Sequence, residues 1–196
     1  TDVGGYLGEG RIDESLYIRC LQWGAWNGMF DVKIDGSGGS GEDRPPWKYS
    51  KQLQDVFREV CDTRMKMLPY SYSLANTSYK NGVMMKPLTY MYPNDEKTYN
   101  IWDEYLFGNA LLIAPVFTKI NSRDVYLPEG IWYDYHDLDK TYTGPTKIHQ
   151  VVPLDRTPIF IKQNSIYVTG DIFQGNSKLW NGELDGKQYL CIKLFP

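Results

Sequence analysis

The sequence predicts an α/β region followed by an all-β region. Residues 1–82 carry apolar side chains at helical spacing and Gly-rich connections, whereas residues 83–196 consist of short apolar runs separated by turn signals. Apolar residues make up 42% of the chain and charged residues 23%, a balance typical of a packed globular protein rather than a disordered one. We therefore expect a domain boundary near residue 82.

Capping signals predict where the first helix begins and ends. Asp13 is a candidate N-cap for a helix that runs from Glu14 to about residue 26. Leu16, Cys20 and Trp23 share one face of that helix at helical spacing, which makes this face a candidate apolar contact surface.

A second helical region follows the same logic. Ser50 can cap a helix with an amphipathic stripe, and Pro69 marks its end or a kink. The chain can then continue as a further helical segment, for which Gly82 is a stop signal. The stripe consists of five side chains: Leu53, Val56, Phe57, Val60 and Cys61.

Strand signals occupy the rest of the chain. Residues 31–35 alternate polar and apolar, as a short strand does, and a flexible Gly/Ser loop follows at residues 36–41. Turn signals such as Pro128-Glu129-Gly130 and Gly144-Pro145 separate the later runs, and this spacing suits an antiparallel β-sandwich. The predicted strands are residues 84–90, 111–117, 124–127, 131–135, 158–161 and 165–169, with a further strand at 190–195.

This order of elements indicates two β/α units followed by a β-sandwich. We interpret residues 1–82 as the last two β/α units of a TIM (β/α)8 barrel and residues 83–196 as a β-sandwich truncated at its end. In such barrels the loops at the carboxyl ends of the strands carry the chemistry, so the loops after Asp2 and after Asp35 are the candidate functional loops.

Charge and composition exclude several classes of function. The net charge of −3 offers no basis for a nucleic-acid or anionic-membrane partner, and no apolar run reaches the length of a membrane span. Cys20, Cys61 and Cys191 form no CxxC motif, and His136 and His149 have no ligand-type neighbour. We therefore expect no metal and no cofactor, and we interpret Cys20 and Cys61 as small buried apolar residues.

Six strings, taken in order, resemble glycoside hydrolase family 31. Each string alone is weak, but the six together span most of the chain. They are TDVGGYLG at residues 1–8, ESLYIRCLQWGAW at 14–26, LPYSY at 68–72, MKPL at 85–88, YLFGNALLIAPV at 105–116 and LPEGIWYD at 127–134.

The resemblance implies a retaining α-glycosidase, in which one carboxylate attacks the anomeric carbon and a second acts as acid and base. In the family both carboxylates come from barrel strands upstream of residue 1, so we assign no catalytic residue here and expect the chain alone to be inactive. The implied partners are an oligosaccharide or glycoside substrate and the N-terminal remainder of the same enzyme. The location stays open, with an extracellular, periplasmic or secretory-lumen setting preferred.

The resemblance also implies a set of substrate-binding residues. Asp2 matches an acid near the pocket floor, although it could instead only tie strand ends together. Tyr6 matches an aromatic residue that packs against the sugar. Asp31 and Lys33 stand where the family has Arg and a sugar-binding His, and Lys only donates hydrogen bonds whereas neutral His also accepts them. We expect these four residues and Asp35 to bind substrate.

Because Asp31 and Lys33 depart from the family pattern, we expect a non-glucose substrate such as an α-galactoside or an N-acetyl-α-galactosaminide. Two other functions fit the same residues: a non-catalytic carbohydrate-binding or structural fragment, and an α-transglycosylase. Glu42 and Asp43 also offer carboxylates, but solvated loop charges are the better interpretation.

Overall fold

Three long helices form the first half of the molecule. The computed structural model describes residues 2–6, 11–33, 44–170 and 190–196. Helix α1 spans Glu14–Ala25, α2 spans Lys51–Lys66 and α3 spans Leu68–Asn81. Short 3-10 turns lie at Pro46–Lys48 and Glu96–Thr98.

The helix ends lie where the capping residues predict them. Asp13 Oδ1 accepts a hydrogen bond from Leu16 N at 3.0 Å, and Ser50 Oγ accepts one from Leu53 N at 3.2 Å. Helix α2 ends at Lys66 and α3 begins at Leu68. Pro69 lies in the first turn of α3, where a backbone N–H has no partner within the helix, so proline is tolerated there. Gly82 ends α3 with a φ of 81°, so all four predicted helix signals are confirmed.

The buried face of α1 is not the face that the sequence singles out. Leu16 is 55% exposed, and Cys20 and Trp23 are half-buried. The residues that enter the core lie on the opposite side of the helix: Tyr17, Ile18, Leu21 and Ala25. Cys20 and Cys61, expected to be small buried apolar residues, are both half-buried, and Cys20 packs against the core cluster. The prediction is therefore only partly confirmed.

The second half is built from two antiparallel sheets in the described part of the chain. The six-stranded sheet has the order β1-β2-β3-β6-β4-β5, and β7 pairs with β8 in the other sheet. The strands are β1 Met85–Pro87, β2 Tyr105–Phe107, β3 Leu111–Ile113, β4 Ser122–Asp134, β5 Asp137–Val151, β6 Ile159–Lys162, β7 Ser165–Gly170 and β8 Leu190–Phe195.

Two predicted turns lie inside strands. Pro128-Glu129-Gly130 does not separate two strands, because β4 passes through it with a register shift between Leu127 and Gly130. Gly144, predicted as a turn with Pro145, lies opposite that bulge in β5. A side chain at Gly144 would meet the Pro128 carbonyl oxygen at 1.9 Å, so the glycine accommodates the bulge. The turn signal thus marked a bulge and its partner.

The structure also differs from the predicted strands at β1 and β2. The predicted strand at residues 84–90 ends at Pro87, and Leu88–Met91 form a short helix, α4. Strand β2 was not predicted, because three residues that pair with β1 and β3 are too short for a period-two pattern to be recognised.

One core joins the helices to the sheets. Apolar residues of α1, α2 and α3 form a single buried cluster with residues of β2, β3, β6, β7 and β8. A second cluster lies on the other face of the large sheet, around Leu112, Trp132 and Phe160. The helical and β regions therefore fold against each other.

A buried arginine forms the polar part of this junction. Arg19 of α1 is 7% exposed. Its guanidinium donates to the carbonyl oxygens of Val152, Pro153 and Arg156 at 3.1, 3.1 and 2.9 Å, and to Asn121 Oδ1 at 3.0 Å. These acceptors all belong to loops next to strands of the large sheet, so one side chain holds α1 against the β region.

We expect Arg19→Met to lower the free energy of unfolding by about 2–4 kcal/mol, because it leaves several buried carbonyl groups without a donor. Urea denaturation of the 196-residue chain followed by circular dichroism measures this. Arg58→Met is the matched control, since Arg58 is exposed and pairs with Asp55 of its own helix; it should change the value by less than about 0.5 kcal/mol. Equal losses for the two variants would contradict the assignment.

Gly24 lets α1 lie close to Val3 and Phe30. A methyl group there would lie 2.6 Å from Val3 Cγ2 and 3.0 Å from the Phe30 ring. We expect Gly24→Ala to destabilise the chain by about 1 kcal/mol or more, even though alanine favours helices. Gly28→Ala is the control, because its nearest neighbour, Met84 Sδ, lies at 3.7 Å. A midpoint of thermal unfolding that is unchanged for Gly24→Ala would show that Val3 and Phe30 move away freely.

Candidate functional site

A parallel pair of short strand segments brings the residues around Val3 and Val32 together. Val3 pairs with Val32 in a parallel bridge. Val3 N donates to the Asp31 carbonyl oxygen at 2.9 Å, and Lys33 N donates to the Val3 carbonyl oxygen at 2.9 Å. Helix α1 connects the two segments, so the unit is β-α-β, in which the carboxyl ends of both strands lie at the same edge.

Tyr6 and Lys33 meet at that edge. The Lys33 ammonium lies 4.9 Å from the centroid of the Tyr6 ring, within the range of a cation–π contact. Tyr6 is 54% exposed, so part of its ring is open to a ligand. The structure therefore brings together two residues that are 27 positions apart and that the sequence analysis assigned to one pocket.

Asp2 and Asp31 flank the same pair of segments. Both residues are exposed, and Asp2 has a positive φ of 43°. The Asp2 carbonyl oxygen accepts a hydrogen bond from Gly5 N at 2.8 Å, which closes the turn that leads to Tyr6. Tyr6 and Lys33 lie on the carboxyl side of the Val3–Val32 bridge, and Asp2 and Asp31 precede it. A ring can stack on a sugar, and ammonium and carboxylate groups can hydrogen-bond its hydroxyls.

Two glycines shape the turn between Asp2 and Tyr6. Gly4 and Gly5 have φ values of 94° and 84°, a conformation that residues with side chains rarely adopt. A side chain on Gly4 would also lie 3.0 Å from the Lys33 carbonyl oxygen. The Gly-Gly pair therefore allows this turn to approach the Lys33 backbone closely.

Arg44 and Tyr17 support the turn through hydrogen bonds, and neither residue was predicted from the sequence. Arg44 is 1% exposed, and its guanidinium donates to the Gly5 carbonyl oxygen. Tyr17 of α1 donates its hydroxyl hydrogen to the Arg44 carbonyl oxygen at 2.9 Å. Burial raises the pKa of Tyr17 to about 12, so this phenol remains a donor at neutral pH. No local pattern marks Arg44, because its partner lies 39 residues away.

The segment between α1 and Asp31 is held by hydrogen bonds from helix α2 and strand β2. Arg64 donates to the carbonyl oxygens of Ala25 and Gly28 at 3.0 Å each, and to that of Asn27. Tyr105 donates to the Trp26 carbonyl oxygen at 3.2 Å. These bonds satisfy the last carbonyl groups of α1 and direct the chain toward Asp31 and Lys33.

Asp35 lies outside the described residues, as do the Gly/Ser loop at 36–41, Glu42 and Asp43. Of the five predicted substrate-binding residues, the structure thus locates Asp2, Tyr6, Asp31 and Lys33.

The described residues contain neither a cluster of metal-ligand side chains nor a membrane-spanning helix. Within the described ranges, three or more His, Cys, Asp or Glu side chains nowhere gather in a way that could hold a metal ion. None of the helices in those ranges combines the length and apolar character needed to span a bilayer.

Family models match both halves of the chain. Residues 1–74 match the glycosyl hydrolases family 31 TIM-barrel domain. Residues 81–167 match the glycosyl hydrolase family 31 C-terminal domain.

Individual relatives agree with these matches. A 1,6-α-glucosyltransferase of Sporosarcina globispora is 32% identical over 176 residues, which are 87% of this chain and 13% of the relative. Neutral α-glucosidase AB of Sus scrofa is 35% identical over 170 residues, which are 85% of this chain and 17% of the relative.

A solved structure has a similar fold. A family 31 dextranase of Flavobacterium johnsoniae, complexed with isomaltotriose, superposes with a TM-score of 0.84 at 28% identity. The match covers 100% of this chain and 23% of the dextranase chain, so this chain spans less than a quarter of the length of each of these three proteins. Since two models of one family match in order and together extend over most of the sequence, the chain belongs to glycoside hydrolase family 31, as part of its TIM-barrel domain followed by its C-terminal domain of mostly antiparallel sheets.

Proposed function

We propose that the chain is part of a longer retaining α-glycosidase that hydrolyses O-glycosidic bonds. The observation that carries this proposal is the contact between Tyr6 and Lys33 at the carboxyl edge of two parallel strand segments. Relatives that span the same segments act on α-glucosides or transfer α-glucosyl groups, as their names state. The carboxylates that attack the anomeric carbon and protonate the leaving oxygen would belong to the polypeptide upstream of residue 1.

The finer architecture is part of the same proposal. Residues 1–82 would form the last two β/α units of the barrel, and residues 83–196 a β-sandwich domain behind it. The parallel Val3–Val32 bridge and the helices that follow each segment support the first part. Two antiparallel sheets that share a core with the helices support the second.

Each located side chain has a role in this pocket. Tyr6 would stack on the sugar ring, because its exposed face offers apolar area that suits the C–H face of a pyranose. Lys33 would donate hydrogen bonds to a hydroxyl or carbonyl oxygen of the substrate, and Asp2 and Asp31 would accept them. Asp35 would complete the set from the second loop. The substrate is a glycoside or oligosaccharide.

The same side chains bear on specificity. Lys33 and Asp31 stand where the family pattern has a His and an Arg. Lys only donates hydrogen bonds whereas neutral His also accepts them, and Asp accepts hydrogen bonds where Arg would donate them. This substitution is the basis for proposing an α-galactoside or N-acetyl-α-galactosaminide as substrate. The relatives described above do not support that preference, since their names refer to glucosyl or dextran substrates.

A transglycosylase is the second candidate, because one of the relatives is a glucosyltransferase. Hydrolysis and transfer share the glycosyl-enzyme intermediate and differ in whether water or a sugar hydroxyl accepts the glycosyl group. If the longer protein lacked the two carboxylates, it would not catalyse the reaction. Its function would then be carbohydrate binding or structural.

We expect Tyr6→Ala in the longer protein to lower kcat/KM for its best substrate by roughly 3- to 10-fold, chiefly through KM, because a stacking ring contributes about 0.5–1.5 kcal/mol beyond its buried area. Initial rates over a range of substrate concentrations measure this. Tyr79→Ala is the control, since Tyr79 lies on α3 and is 77% exposed. An unchanged KM for Tyr6→Ala would remove Tyr6 from the pocket.

Specificity is tested with nitrophenyl α-glycosides of glucose, galactose, N-acetylgalactosamine and xylose. We expect the longer protein to cleave a galactoside or N-acetylgalactosaminide fastest, and the 196-residue chain to cleave none of them. The double variant Asp31→Arg, Lys33→His restores the family pattern and should raise the rate ratio of glucoside to galactoside by about tenfold, roughly 1.4 kcal/mol of discrimination. Fastest cleavage of the glucoside by the unmodified enzyme would refute the galactoside preference.

A further inference from the structure

Three buried side chains connect helix α1 to the turn that carries Tyr6. Arg44 donates through its guanidinium to the carbonyl oxygen of Gly5, the residue directly before Tyr6. Tyr17 of α1 donates its hydroxyl hydrogen to the Arg44 carbonyl oxygen at 2.9 Å. Tyr49 packs edge to face on the Tyr17 ring, with 5.3 Å between the ring centroids. Arg44, Tyr17 and Tyr49 are 1%, 0% and 6% exposed, so packing fixes the position of each.

The turn also lies in direct contact with the Tyr17 ring. A side chain on Gly4 would lie 3.5 Å from Tyr17 Cε2, and one on Gly5 would lie 3.7 Å from Arg44 Nη1. Glycine restricts its own backbone less than any other residue does. The conformation of this turn is therefore limited by its packed neighbours more than by its own sequence.

The Tyr6 ring depends on its backbone for its position. Tyr6 is 54% exposed, so packing alone fixes less than half of its surface. Both polar groups of the Gly5 backbone are used: its N–H donates to the Asp2 carbonyl oxygen at 2.8 Å, and its carbonyl oxygen accepts from Arg44. The first bond closes the turn on itself, and the second ties the turn to the buried part of the molecule.

We infer that Arg44 and Tyr17 are positioning residues, which fix the turn before Tyr6 and thereby set how tightly the Tyr6 ring binds substrate. The inference rests on the proposed function for the role of Tyr6, whereas the link from α1 to the turn is independent of it. Without this link the ring would occupy more orientations, and each binding event would have to order it again. KM would therefore rise while kcat changed little.

Tyr17→Phe removes the hydroxyl and keeps the ring, so it tests the hydrogen bond to Arg44 alone. Tyr70→Phe is the matched control, because Tyr70 is also buried, donates to the Phe107 carbonyl oxygen at 3.0 Å and accepts from Ala110 N at 3.3 Å. Burial raises the pKa of both phenols to about 12, so both are neutral donors at pH 7. We expect each variant to lower the Tm of the 196-residue chain by about 2–4 °C.

Amide hydrogen exchange in the 196-residue chain, followed by NMR, tests the link without any substrate. The Gly5 N–H belongs to the turn, and the Lys33 N–H, which donates to the Val3 carbonyl oxygen at 2.9 Å, serves as the internal reference. Tyr17→Phe should raise the ratio of the Gly5 rate to the Lys33 rate at least about threefold, because the turn opens locally. Tyr70→Phe should leave this ratio unchanged. An unchanged ratio in Tyr17→Phe would overturn the inference.

Kinetics of the longer protein test the consequence for substrate. We expect Tyr17→Phe to raise KM about 2- to 3-fold with kcat nearly unchanged, since it removes only part of what the stacked ring contributes. Tyr70→Phe should change neither constant. Added to Tyr6→Ala, Tyr17→Phe should raise KM no further, because it acts through the Tyr6 ring. A rise in KM of the same size in both backgrounds, as a merely structural role would give, contradicts the inference.

The two experiments separate this inference from the proposed function. If the longer protein cleaves glycosides and Tyr17→Phe leaves its KM unchanged, the inference fails and the proposed function stands. If the longer protein cleaves no glycoside, the proposed function fails, and the exchange ratio in the 196-residue chain still decides whether Tyr17 and Arg44 hold the turn.

Discussion

The contact of Arg19 with the β region is the interaction on which the arrangement of this chain depends. Burying a guanidinium costs free energy unless its N–H groups form hydrogen bonds. The Arg19 guanidinium donates to three backbone carbonyls and an amide oxygen at the junction of the two regions. Because these carbonyls belong to the loop after β5, the position of α1 is tied to the large sheet. The apolar cluster that spans both regions follows from that placement.

The placement of α1 in turn sets the geometry of the candidate site. Gly24 allows α1 to lie directly on Val3, and Tyr17 on the same helix holds the Arg44 backbone. Arg44 then donates to the turn that ends at Tyr6. A chain of short contacts thus leads from the core to the exposed ring. Rigid support of this kind is what lets exposed side chains keep a fixed arrangement for a ligand.

The helix signals were correct because they are local. An N-cap oxygen bonds an N–H three residues away, and a glycine in the left-handed region ends a helix through its own φ. The strand signals were less reliable. The same Pro-x-Gly string can make a turn or a bulge, and the pairing of β4 with β5 at Gly144 decides that a bulge forms here. The buried face of α1 could not be read from its apolar residues, because both sides of the helix carry them.

By itself, the sequence determined the family and the ends of the helices, because motifs and caps are written in consecutive positions. The tertiary structure alone decided that Tyr6 and Lys33 touch, that Arg44 supports the turn before Tyr6, and that Leu16 is exposed instead of packed in the core. The two contacts join residues that are 27 and 39 positions apart. A pattern along the chain reports what a residue can bury, whereas only the packed neighbours determine what it does bury.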